Sequence, residues 1–213
     1  MTALDDFENT TNVKMIGHVL IKDTVTDEVI VDKLNAINFE TMSYVLALGL
    51  ADRSTGHVYS MVFGNGGTTV NAVGDITYLR PNTTGMTAQL YNQTYAQIVD
   101  DMSPSNLSPT TNYMRVNHTS NTTFSDVIVT CTLGYNVPSG QLAFDDAPFT
   151  NANNPTTTTA NTNTTYIFDE LGLKGFNTVP ANQPLLTHVI FHPVQKALNR
   201  SISVTYTLRI YVS

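Results

Sequence analysis

Residues 35–67, NAINFETMSYVLALGLADRSTGHVYSMVFGNGG, hold the strongest local pattern in the chain. Asn38 has the side chain of an N-cap, and Glu40 lies in the first turn, where the helix dipole favours a carboxylate. Ile37 and Met42 have the spacing of a hydrophobic staple. Phe39, Met42, Val45, Leu46, Gly49 and Leu50 then share one apolar face. The spacing predicts a helix over about 39–53, with Arg53 in its last turn and Gly56 as its stop. A glycine inside a helix costs about 1 kcal/mol against alanine, so Gly49 predicts close approach of another backbone. An apolar strand, HVYSMVF (57–63), follows directly. Gly64-Asn65-Gly66-Gly67 then reads as a turn requiring positive φ. A phosphate cradle needs a following helix and usually a lysine; Thr68, Thr69 and Val70 follow instead. The expectation is one central helix laid against β-sheet.

Outward from this unit the chain reads as strands and turns. Residues 15–23 (MIGHVLIKD) and 28–33 (EVIVDK) predict a hairpin. Short strands are expected at 76–79 and 113–116, while 94–99 fits either a strand or a single helical turn. Residues 124–133 (FSDVIVTCTL) are apolar at their centre and predict a mid-sheet strand. Strands at 166–173, 185–192 and 201–212 complete the set, with Pro193 ending the second of these. From 203 to 212 the alternation places Val204, Tyr206, Leu208, Ile210 and Val212 on one face. The fold class is mainly β: an antiparallel β-sandwich, jelly-roll-like, with one principal helix and long polar loops. Residues 1–213 form a single domain; 1–13 are expected to be a mobile or partner-docked arm. Residues 68–122, which include SPSNLSPTT (103–111), and the low-complexity stretch 151–165 (NANNPTTTTANTNTT) are expected to be interaction loops.

Composition supports many strands joined by many turns. Only 13% of residues are charged, and Thr and Asn together make up about a quarter of the chain. Thr suits a pleated surface and Asn suits turns. A net charge of −7 argues against a general nucleic-acid surface. No apolar run reaches the roughly 18 residues of a membrane span. The acidic start, MTALDDFENTTN, lacks the features of a secretory leader, so folding in the cytosol is expected. Cys131 is the single cysteine and sits in an apolar strand, as a buried thiol does.

No constellation for catalysis emerges. Among His18, His57, His118, His188 and His192, the last two would lie roughly 13 Å apart on a regular strand, too far to share one ion. Asp100-Asp101 and Asp145-Asp146 lack the spacing of an EF-hand loop and read as solvated carboxylates. No nucleophile elbow, HExxH helix, CxxC pair or Walker loop is present. The expectation is a protein without enzymatic activity, with no catalytic, metal or cofactor-binding residue.

Two stretches carry a resemblance. The order NAI, helix, strand and FGNGG in residues 35–67 resembles the N-terminal region of many tailed-bacteriophage virion structural proteins. FDELGL, LLTHVIFHPVQK and SISVTYTLRIYV, within residues 168–212, are similar to a pattern recurring in phage tail, fibre-attachment, collar and decoration proteins. Its matching positions are Glu170, Leu171, Gly172, Leu173, Phe191, Pro193, Val194 and Lys196. The resemblance implies a β-rich virion component, assembled in the host cytoplasm. The foremost expectation is a neck or collar protein at the head–tail junction, forming a symmetric homo-oligomer through its loops and N-terminal arm. It would contact portal, adaptor, tail or capsid proteins, and neither a membrane nor a specific nucleic acid. Capsid decoration and fibre attachment are alternatives. A module binding carbohydrate or receptor through residues 68–165 is a reading of another class.

Overall fold

A computed structural model describes residues 12–139 and 166–213. The element order is β1 (Val13–Asp23), β2 (Val29–Leu34), β3 (Ala36–Ile37), α1 (Phe39–Leu50), β4 (Val58–Gly64), β5 (Thr68–Val70), β6 (Ile76–Tyr78), β7 (Gln93–Ile98), β8 (Tyr113–His118), β9 (Phe124–Leu133), β10 (Tyr166–Gly175), β11 (Leu185–Lys196) and β12 (Ile202–Val212). Two five-stranded sheets form, in the orders β2-β1-β12-β9-β8 and β3-β11-β10-β4-β7, with β5-β6 as a separate hairpin. Every strand pair is antiparallel. The first and last strands pair in one sheet, while β3 and β11 pair in the other. This is the antiparallel β-sandwich that the sequence predicts.

Period-2 patterning builds the core. Ile202, Val204, Tyr206 and Leu208 of β12 are buried, and meet Val129, Cys131 and Leu133 of β9 in one cluster. From the opposite sheet come Met61, Phe63, Phe168, Leu171 and Phe191. Each such side chain contributes roughly 1.5–3 kcal/mol on burial. Cys131 is fully buried, and burial pushes its thiol well above the usual range.

Several expectations are corrected. The helix ends at Leu50, and its left-handed exit residue is Asp52 (φ 49°), not Gly56. A short aspartate tolerates that conformation, so Arg53 lies beyond the last turn. Asn38 caps as predicted, accepting from Thr41 N, and Ile37 and Met42 enter the same core cluster. The broad apolar face is nevertheless open: Phe39 is 71% and Leu50 91% exposed, and only Thr41 and Met42 are buried. The helix therefore lies at the margin of the sandwich, and the strands organise the fold. A Cβ on Gly49 would meet nothing within 4 Å, so no backbone approaches there.

Pro193 does not end its strand. β11 continues to Lys196, because Pro193 falls where the β10–β11 register shifts between Phe168 and Glu170. A bulge removes the ladder bond that proline could not donate. The segment 94–99, which by sequence fits either a strand or a helical turn, falls largely within β7 (Gln93–Ile98). The region 68–122 is not loop throughout, since β5 to β8 lie within it. Of the proposed arm, Val13 already belongs to β1, and Asn12 N donates to Ser213 O. Residues 1–11, Asp145-Asp146 and the stretch 151–165 lie outside the described residues.

Candidate functional site

The FGNGG stretch does cradle an anion, and the anion belongs to the chain itself. β4 and β10 run antiparallel, with Gly64 opposite Glu170. Glu170 Oε1 accepts from Gly66 N at 3.1 Å and Asn92 N at 2.8 Å. Its Oε2 accepts from Tyr91 N at 2.9 Å and His188 Nε2 at 3.0 Å. Next door, Asp169 accepts from Gly67 N and Thr68 N, both at 2.9 Å, and from the Thr68 hydroxyl. The side chains of Glu170 and His188 are both 0% exposed.

This arrangement explains the glycines and corrects the turn reading. Gly64, Gly66 and Gly67 are not among the residues at positive φ. They are needed because the Glu170 carboxylate crowds Gly64 and the chain at 91–92 and 169–170 comes too close to Gly66 and Gly67 for a side chain. A Cβ on Gly64 would lie 2.5 Å from Asn92 O and closer still to Glu170 Oε1. On Gly66 it would lie 2.7 Å from Asn92 N, and on Gly67 3.0 Å from Asp169 O. Three successive main-chain donors thus turn toward two adjacent acids, as in anion-binding nests.

The histidine completes the node. His188 Nδ1 accepts from Asn82 N at 2.8 Å. An amide N–H can only donate, so the ring proton sits on Nε2 and is given to Glu170. Asn82 Nδ2 in turn donates to Gln89 O at 3.0 Å. The excursion between β6 and β7 is thereby pinned at Asn82, Tyr91 and Asn92, although it has little regular structure. Burial alone pushes the Glu170 carboxyl upward. The hydrogen bonds from His188, Asn92, Tyr91 and Gly66 outweigh burial and hold it below the ordinary glutamate range.

Chemically, this is a structural knot. A glutamate–histidine pair is the orienting half of a catalytic triad, yet here both imidazole nitrogens are committed. No free nitrogen remains to take a proton from a nucleophile. The other histidines lie apart. His18 bonds Asp32 at 2.6 Å, His57 faces Asp100 at 3.3 Å, and His192 Nδ1 lies 3.1 Å from Tyr78 OH. His118 contacts Phe124 O and Ser125 Oγ in its own hairpin. Asp100 is buried rather than solvated, and Asp101 accepts from Met114 N. Among the described residues, no group of three or more His, Cys, Asp or Glu side chains converges as an ion site. No helix of the described residues is long and apolar enough to cross a membrane. A hollow of about 90 Å³ lies between α1 and the 176–184 segment, lined by Tyr44, Leu48, Met86, Phe176 and Pro184. Small-molecule pockets typically enclose roughly 300–1,000 Å³.

Sequence reasoning singled out Glu170 and the FGNGG glycines separately. It missed His188 as a partner of Glu170, and it missed Tyr91, Asn92 and Asn82 entirely, because their contribution is largely main-chain amide. No protein-family model, no curated protein and no solved structure matches this chain.

Proposed function

We propose that this chain is a non-enzymatic structural component of a tailed-phage virion, foremost a neck or collar protein that assembles as a symmetric oligomer. The observation that carries this reading is the Glu170 node. It joins the two stretches that resemble virion proteins, FGNGG and ELGL…FHPVQK, through hydrogen bonds from Gly66 and His188 to one carboxylate. In this reading the motifs hold the sandwich rigid, and the surfaces meet neighbouring subunits. Capsid decoration and fibre attachment use the same chemistry and differ in location.

Immunogold labelling and mass spectrometry of purified particles test the proposal. Labelling at the head–tail junction is the expected result; labelling over the capsid or at the fibres selects an alternative. Absence from the particle refutes the virion reading.

One observation favours a module that binds carbohydrate or receptor. Tyr78 and Tyr91 are each half exposed, and they lie close to His192 and Arg80 through contacts of their hydroxyls. Aromatic faces beside polar groups suit sugar stacking. Glycan-array binding that is lost on Tyr78→Ala or Tyr91→Ala would support it.

A further inference from the structure

The sheet β2-β1-β12-β9-β8 ends on two six-residue strands whose outer edges differ in charge. Asn35 N donates to Gly17 O, so position 35 and the alternate positions 33 and 31 bond toward β1. The amides and carbonyls of Asp32 and Leu34 therefore turn outward. On β8, Thr132 N of the neighbouring strand reaches Asn112 Oδ1, and Met114 N donates to the Asp101 side chain. This phase turns Val116 and His118 outward. Met114 N–H is already occupied, so the available edge of β8 starts at Val116.

The side chains are complementary. The β2 edge carries Asp32, flanked by exposed Glu28; its one cation, Lys33, turns inward and donates to Ile190 O. The β8 strand carries exposed Arg115 and His118, and the Asp101 carboxylate sits at its start, on Met114 N. Arg115 and Asp32 lie on the same outer face of the sheet. Arg115 pairs with Ile128, whose neighbour Val127 faces the core, and Asp32 follows buried Val31. Val116 is 72% exposed although it lies on the inner side, beyond the cover of the opposite sheet.

We infer that β8 of one copy pairs with β2 of the next, extending this sheet from subunit to subunit in a head-to-tail ring. With every pair in the sheet antiparallel, its first and fifth strands run the same way. Rotation about an axis along the strands preserves that direction, so the junction is a parallel pair. Two-fold pairings are disfavoured, since β2 on β2 brings the Asp32 carboxylates of two copies together and β8 on β8 brings their Arg115 guanidinium groups together. Different surfaces on the two sides make the contact heterologous, which closes a ring when the rotation permits. Asp32 already bonds His18, so the junction's arginine joins a pair in place.

This inference deepens the virion reading and rests on it for the ring's purpose. The test is sedimentation of the purified full chain over a wide concentration range. The wild type is expected to form a closed oligomer. Val116→Pro removes an outward N–H at an edge, where proline is tolerated; it is expected to sediment as a monomer with unchanged circular dichroism and thermal transition. Arg115→Glu and Asp32→Arg are each expected to weaken association about tenfold or more, and the double variant to regain it. A wild type that stays monomeric at every concentration overturns the inference. So does an oligomer that survives Val116→Pro, a result that leaves the virion reading intact. Absence from purified particles refutes the virion reading whatever the oligomeric state.

Discussion

Replacing Glu170 with glutamine changes few atoms and tests the node directly. The carboxylate accepts four hydrogen bonds, two at each oxygen. An amide offers one oxygen and one NH2 group. With the NH2 toward Oε1's partners, it faces Gly66 N–H and Asn92 N–H. With the opposite rotamer it faces Tyr91 N–H and His188 Nε2–H. The imidazole cannot rescue the second arrangement by changing tautomer, because Nδ1 is needed as acceptor for Asn82 N. Either way two buried donors lose their acceptor. Hydrogen bonds to charged groups are worth about 1.5–3 kcal/mol each, so the expected loss is about 3–6 kcal/mol. That is a large share of the roughly 5–15 kcal/mol that holds a domain folded. Urea unfolding of both proteins measures the difference. The acid limb adds a second readout. The folded Glu170 carboxyl lies below its ordinary value of 4.5, so its stabilisation is fully present above that pH. It is lost as pH falls through the folded value, where the unfolded state has already taken up its proton. The glutamine variant lacks this contribution and should lose less stability between neutral and acid pH. A variant within about 1 kcal/mol of wild type at pH 7, with an unchanged acid limb, would refute the node as a stabilising element.

Gly64→Ala should destabilise by about 1–3 kcal/mol, since its Cβ meets both Asn92 O and the Glu170 carboxylate; thermal melting detects it, and an unchanged midpoint contradicts the close approach. Gly49→Ala should do the opposite and stabilise by about 0.5–1 kcal/mol, because the position is helical and nothing lies within 4 Å of the new methyl group; loss of stability on denaturant titration would contradict the open surface. Burial, together with the nearby Arg200 charge, pushes the Lys196 ammonium down to about 8. Its folded value is below its unfolded one, so stability should rise as pH increases from 8 toward 10.5, and Lys196→Met should flatten that rise. An unchanged slope in the variant would assign the rise to other groups.

What was legible in the chain follows the range of the interactions. Burial in β12 can be read from alternation, because a strand's two faces repeat every second residue and one of them is buried. The start of α1 can be read for a similar reason, as Asn38 caps an amide three residues away. The environment of α1 cannot. A periodic apolar stripe gives a direction on the helix and not what lies there, and half of this stripe, Phe39, Gly49 and Leu50, faces outward. The reason for the FGNGG glycines is equally hidden. Glu170 is 104 residues beyond Gly66, and the close approach exists only once β4 and β10 pair. Glycine can mean an unusual φ or an intrusion by a distant group, and sequence alone does not separate the two.

That ambiguity changes where binding should be sought. A run of glycine amides beside a strand end suggests an empty anion site when read alone. In the folded chain its donors are saturated by Asp169 and Glu170, and a soluble anion would have to displace two carboxylates held by covalent connection. The effective concentration of such an internal ligand exceeds that of a free one. The strongest polar site is therefore closed to solutes and serves to lock three segments together. Among the described residues, outward-turned main-chain donors and acceptors lie at the rims of the sheets, among them those of Asp32 and Leu34 on one side of the first sheet and Val116 and His118 on the other. A rigid interior with an acidic and a basic edge suits recognition of a second copy by strand pairing.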